Sequence, residues 1–233
     1  PFTSTFERYS DTDQIMSLYR EGINKGIFYP QFHGREHVNV NRWLKSLQQK
    51  KKPLHDAFKE EMFSLPLGQG TGGRRDYLDS FGNAYETEFE SVSSIISSGT
   101  DLFETIWGFR SDTFIAPCYT WESNIEKVLK TYGIRCIQGT HVQRVPENNL
   151  TLRVKKKYHF TGQKNRLGQY YTVRNVFFEP HEFNDTFDIT ETLRQIDIAF
   201  KLGKPAIISS HRVNYIGRLN PRNRQRNLKL LKA

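Results

Sequence analysis

Apolar residues recur along this chain at two spacings that take turns. At the helical period, Ile15, Leu18, Tyr19 and Ile23 make one stripe, and Val40, Trp43, Leu44 and Leu47 a second. Further stripes are Phe89, Val92, Ile96, Phe103 and Ile106 over 85–107, then Ile125, Val128, Leu129 and Tyr132, then Leu193, Ile196 and Phe200 over 187–202. Between them lie short runs almost free of charge: Ile27 to Phe32, 113–119, 134–138, Tyr170 to Phe178, and 206–210. Runs of this kind read as strands: that over 113–119 suits one buried on both faces of a parallel sheet, and Pro30 marks an edge or a bend in the first. Caps and breakers agree with these divisions. Ser10 caps the first helix and Gly26 stops it, Asn39 or Asn41 starts the second, Thr120 caps the one that Gly133 ends, Gly203 closes 187–202, and the last helix opens near Pro221. Gly99 sits inside the longest stripe, where a glycine permits close packing or marks a break.

The recurring unit is strand, polar tip, helix, glycine, strand, which is the order of a parallel α/β fold. About five strands are visible, too few to close a barrel of seven or eight, and the expectation is a single domain, 1–233, cut short at both ends. In such folds the chemistry sits at the C-terminal ends of the strands. The tips here are His33 and His37, Pro117 to Trp121, Gly139 to His141, Arg174 to Glu179, and His211 to Asn214, and they are expected on one face. Two stretches fall outside the pattern. The glycine-rich piece 67–75 lacks the Gly-Lys-Ser/Thr ending of a phosphate loop and reads as surface loop. Residues 142–168 read as a basic insertion.

Composition narrows the classes. A 36% hydrophobic and 13% aromatic content over 233 residues is that of a folded domain. No run is long enough for a membrane helix, and no basic-then-apolar leader opens the sequence, which tilts the expectation toward the cytoplasm. The net charge of +9 is uneven: Arg153, Lys155, Lys156 and Lys157 cluster, and seven basic residues with no acid follow from Arg212 on. No nucleic-acid motif accompanies the charge, so a solvated basic face is the favoured reading over a nucleic-acid partner. Cys118 and Cys136 make no disulfide framework and read as small buried residues; a nucleophilic Cys118 lacks a local signature. His55, His159 and His181 read as surface residues.

The sharpest signal is Phe28-Tyr-Pro-Gln-Phe-His-Gly-Arg-Glu-His37, which sets two imidazoles four positions apart, a spacing from which both can reach one metal ion. Two later strand ends follow, Thr113-Phe-Ile-Ala-Pro-Cys-Tyr-Thr-Trp121 and Pro205-Ala-Ile-Ile-Ser-Ser-His-Arg-Val-Asn-Tyr215. In this order the three stretches resemble the polysaccharide deacetylase superfamily, carbohydrate esterases on a (β/α)7 barrel, over about Gly22 to Lys232. The resemblance implies a parallel (β/α) barrel, incomplete here, a carbohydrate or polysaccharide substrate, and a divalent metal, zinc first, held by His33 and His37. It implies His211 as the general acid and Pro117 as part of the substrate groove. Tyr119 and Trp121 would form a stacking wall for a sugar ring, with Arg174 and Asn175 as further substrate contacts, and with Arg212 and Asn214 binding the substrate or a carboxylate that orients the His211 imidazole.

Two departures bear on this. The family's Asp-Asp pair, which supplies the base and the third ligand, has no counterpart before His33, since Asp11 and Asp13 stand in a helix start; weak or no metal binding is therefore expected. Ile115 stands where the family has an arginine two positions before the proline. Two other readings use the same residues: a carbohydrate-binding relative without catalysis, and a zinc peptidase in which His33-Gly-Arg-Glu-His37 lies on a helix with Glu36 as base. Oligomeric state is left open.

Overall fold

The computed structural model describes residues 12–50, 52–62, 65, 77–82, 90–147, 154–183, 186–218 and 220–232. Its elements in chain order are α1 (Thr12–Asn24), α2 (Val40–Gln48), α3 (Lys52–Lys59), α4 (Val92–Trp107), β1 (Thr113–Ile115), α5 (Ser123–Thr131), β2 (Cys136–Gly139), β3 (Val142–Pro146), β4 (Val154–Tyr158), β5 (Tyr170–Val173), β6 (Val176–Phe177), α6 (Pro180–Phe183), α7 (Ile189–Lys201), β7 (Ile208–Ser209) and α8 (Pro221–Lys232). The glycine-rich piece, Ser10, Phe89 and Arg153 lie outside the described residues.

The chain is a mixed α/β protein with parallel strands. β1, β2 and β5 form one parallel sheet, with Phe114 level with Ile137 and Ile137 level with Tyr171. Phe32 adds a single parallel bridge to Phe114 on the free edge of β1. Only Arg174 and Asn175 separate β5 from β6, and they hand the strand from one neighbour to another. The N–H of Arg174 donates to Gly139 at 2.9 Å, while that of Asn175 donates to Ile207 at 3.1 Å. Successive N–H groups of a strand point to opposite edges, so β7, parallel to β6, lies on the side away from β2. Spatial order thus follows chain order without reversal: Phe32, β1, β2, β5 and β6, β7.

The core lies between this sheet and α4 and α5, which pack on one another. Phe32, Phe81, Ile95, Ile96, Phe103, Phe114, Ile125, Leu129, Ile137 and Tyr171 are its buried members. Gly99 resolves as a close approach: a Cβ there would lie 3.0 Å from both Phe32 Cζ and Arg35 Cβ. Trp43, Leu54, Ala57 and Tyr77 form a satellite cluster. Asn39 joins the two parts. Its Oδ1 caps α2 by accepting from the Arg42 N–H at 3.0 Å, and its Nδ2 donates to the carbonyl of Asp79 at 3.2 Å.

Several expected elements come out differently. Residues 27–31 are not a strand; only Phe32 pairs, and Ile27, Phe28 and Tyr29 are exposed. Pro30, which lacks an N–H, sits inside that run. α4 starts at Val92 behind the cap Ser91, not at 85. Thr120 does not cap α5; Glu122 holds the N-cap position without a side-chain cap bond. The run 113–119 is strand only to Ile115 and then a tight turn. Helix α7 turns its Thr192 and Ala199 side inward and leaves Leu193 and Phe200 at 51% and 64% exposure. The two-strand β6–β7 pair beneath it covers only a narrow strip.

Within the insertion 142–168, β3 and β4 pair as an antiparallel ribbon. It is rooted by His159, which is buried, not on the surface. The ring of His159 stacks 3.8 Å from that of Tyr171 and places Nε2 2.7 Å from Gln143 Oε1. Among the described residues no helix is long and apolar enough to cross a membrane.

Candidate functional site

His33 is the first residue past the Phe32 bridge, and His37 lies in the bend that leads to α2. The two rings stand edge to face with centres 5.2 Å apart. Two imidazoles bound to one tetrahedral ion at about 2.0–2.1 Å would have their centres roughly 5.3 Å apart. His33 Nδ1 lies 2.7 Å from the carbonyl of Ile115. A carbonyl only accepts, so Nδ1 carries the proton and Nε2 keeps its lone pair, the arrangement that orients a metal-binding histidine. Desolvation in the cleft, together with His37 and Arg174 nearby, holds the His33 imidazole below the usual histidine range despite the Ile115 contact. The ring is therefore neutral over more of the pH scale. His37 Nδ1 is buried and has no hydrogen-bond partner among the described residues. An orphaned buried nitrogen is costly unless something binds it. The donors of this pair fit a borderline-soft divalent ion, although no group of three His, Cys, Asp or Glu side chains converges among the described residues.

Residues 33–37 are not helical, and Glu36 is engaged: Arg35 donates to both its oxygens, at 2.5 and 2.8 Å. The same guanidinium holds Glu90 at 2.6 Å and Ser98 at 2.8 Å, tying the bend to α4. The helix and free base that a His-x-x-Glu-His peptidase needs are both missing. Behind the pair opens a cavity of about 540 Å³, lined by His33 and His37 and, on its apolar side, by Phe28, Phe32, Phe103 and Trp107.

The β1 tip turns sharply. Cys118 and Tyr119 both have left-handed backbone angles, with φ of 58° and 56°. Consecutive non-glycine residues there store strain of order 1–3 kcal/mol each. The turn aims Tyr119 at the β5 tip, where its hydroxyl accepts from Arg174 at 3.2 Å. Arg174 also reaches Gln138 Oε1 at 3.4 Å. Cys118 is half-buried, with its thiol on the Leu78 carbonyl.

At the far end of the strand series, Glu179 follows β6 and His211 follows β7. Glu179 is 6% exposed. Its Oε1 accepts from His211 Nδ1 at 2.7 Å, and its Oε2 from Asn214 Nδ2 at 2.7 Å and from the His211 N–H at 3.2 Å. The imidazole is thereby fixed in one tautomer and orientation, with 66% of the side chain open to solvent. A histidine held by a buried carboxylate is the usual form of a general acid or base.

No protein-family model matches this chain, and no curated protein or solved structure compared with it matches. The site is therefore read from its own geometry.

That geometry redistributes the residues singled out in the sequence. Tyr119, Arg174 and His211 follow the C-terminal ends of β1, β5 and β7, while His33 and His37 follow the lone Phe32 bridge. Trp121 is 1% exposed, with its indole N–H on Glu126 Oε1 at 3.0 Å, so it is core and offers no face to a sugar. Pro117 is buried in the turn. Asn175 spends its amide on the Pro205 carbonyl and the Ile207 N–H. Asn214 is fully buried and braces Glu179 and the His211 carbonyl. Both asparagines are scaffold. Arg212 is exposed beside His211. The residue that sequence reasoning left unassigned is Glu179. Its signal was an acid just past an apolar run and just before Pro180, at the tip preceding the His211 strand.

Proposed function

We propose that the protein is a metal-dependent hydrolase that removes N- or O-acyl groups from a carbohydrate, on a scaffold of the polysaccharide deacetylase type. The observation that carries this reading is the His33–His37 pair, with one nitrogen freed by the Ile115 carbonyl and one buried and orphaned, at the ring separation of a shared ion. A strand order that follows chain order is also what an arc of a (β/α) barrel has.

A divalent ion at the pair, zinc by preference, would polarise the acyl carbonyl and acidify a bound water. His33 and His37 would hold that ion through neutral imidazoles. His211, aligned by Glu179, gives its proton to the departing sugar oxygen or nitrogen. Arg174 and Tyr119, joined across the β5 and β1 tips, form a polar contact for the sugar. The cavity behind His33 takes the acyl group. A second reading, carbohydrate binding without catalysis, is favoured by the lack of a third ligand among the described residues.

Zinc titration and turnover test both. His33→Ala and His37→Ala should each weaken zinc binding at least about tenfold. His211→Gln should keep the zinc and lower kcat on acetylated oligosaccharides by about 10²–10⁴, with a smaller loss on nitrophenyl acetate, whose leaving group needs no proton. Zinc binding unchanged in both alanine variants would overturn the site. Zinc and sugar binding without turnover would establish the second reading.

A further inference from the structure

Between Val142 and Tyr158 the chain has five basic residues, Arg144, Arg153, Lys155, Lys156 and Lys157, against one acid, Glu147. The ribbon pairing sets Arg144 directly opposite Lys156. Partners across an antiparallel pair share a face about 4.5–5.5 Å apart, and like charges placed so are destabilising. Among the described residues no acid forms an ion pair with Arg144, Lys155 or Lys156, and all three are exposed. Lys157 lies 5.9 Å over the Tyr171 ring. Tyr158, opposite Val142 and on the Arg144 and Lys156 face, is 66% exposed.

The ribbon is anchored beside the β1 tip. Arg144 forms a parallel bridge with Thr120, and its carbonyl accepts from the Trp121 N–H at 3.1 Å. Those residues directly follow Tyr119, the partner of Arg174. The base of the ribbon is fixed by the His159 N–H on the His141 carbonyl at 3.0 Å and by the stacked His159 ring. An uncompensated cation pair on a firmly rooted ribbon, beside an open aromatic ring and next to the Tyr119–Arg174 contact, suits a polymeric anion that runs along the ribbon. A nucleic acid would want successive aromatic platforms for its bases; this face offers one.

We infer that the β3–β4 ribbon is an accessory binding surface for an acidic polysaccharide, with uronate-type carboxylates on Arg144 and Lys156 and a sugar ring against Tyr158 on the same face. The choice of a carbohydrate rests on the hydrolase reading of the histidine sites; the surface itself does not.

Affinity electrophoresis of the whole protein tests this with three probes at equal ionic strength: polygalacturonate, its methyl-esterified form, and single-stranded DNA. Polygalacturonate should bind at least about tenfold tighter than the uncharged ester, and that preference should shrink with added salt. The variant R144Q/K156Q should lose at least about tenfold. The variant K59Q/K229Q, with the same change in net charge at exposed positions on α3 and α8, should stay within about twofold of the parent. Equal binding of the two pectic polymers, equal losses in the two double variants, or tighter binding of DNA than of polygalacturonate would each overturn the proposal. Binding is read without turnover. Retention of polygalacturonate by a protein that hydrolyses no acyl group leaves the ribbon proposal standing and overturns the hydrolase. An active hydrolase indifferent to polymer charge overturns the ribbon alone.

Discussion

Glu179 shows how much a single side chain can decide. A buried carboxylate that accepts three hydrogen bonds, two from His211 and one from Asn214, fixes the imidazole before any substrate arrives. Glu179→Gln keeps the volume but places an amide where Nδ1 needs an acceptor, which favours the wrong tautomer. On the proposed hydrolase reading Glu179 is a positioning residue, so the substitution should lower kcat on acetylated sugars by about 10²–10⁴, with a much smaller change in KM. A drop in melting temperature with kcat retained would assign Glu179 a structural role only. His211 was legible in the sequence because it follows an apolar strand. Its partner was not, because the pairing joins residues 32 positions apart and depends on β6 and β7 being neighbours.

Among the elements, α4 is the one that sets the histidine bend in place. Its buried stripe was readable from the periodicity, but the meaning of Gly99 was not. Only the packed helix shows that the missing Cβ makes room for the Phe32 ring and the Arg35 stem. Gly99→Ala gains helix propensity of about 1 kcal/mol but forces a contact that neither a core ring nor the ion-paired Arg35 can readily relieve. Overpacking of that kind costs about 1–3 kcal/mol. The variant should therefore be no more stable than the parent in urea unfolding, and should bind zinc more weakly because His33 and His37 flank the displaced residues. A more stable variant with unchanged zinc affinity would show that the packing is looser than described. The opposite lesson comes from α7, whose apolar stripe pointed to Leu193 and Phe200 although the sheet beneath is too narrow to cover them.

At the scale of the molecule, the basic ribbon is held to the core through His159, so acid should loosen both together. Burial holds the His159 imidazole below the usual histidine range; Gln163 and Glu126 oppose this and Lys157 adds to it. Between the folded value and about 6.5, the unfolded chain binds a proton that the folded one refuses. The contribution is full above about pH 6.5 and is lost as the pH falls toward the folded value. Melting temperature should fall between pH 8 and pH 5.5, and His159→Phe, which keeps the stack but not the titration, should flatten that part of the curve. Identical pH dependence in parent and variant would remove His159 from the account.

What the sequence determined by itself were the local terms: the helical stripes, the apolar runs that became β1, β2 and β5, the cap Asn39, and the four-residue spacing of His33 and His37, all set within a few residues of chain. These are written in periodicity and in short-range hydrogen bonds, which do not need a third dimension. The tertiary structure alone decided which face of α7 is covered, that Trp121 is core and not a sugar platform, and that His159 is a buried anchor. It also decided that Glu179 meets His211 and that Arg144 meets Lys156. Each of those depends on strand order and register, where a long-range neighbour, not the local pattern, determines what a side chain touches.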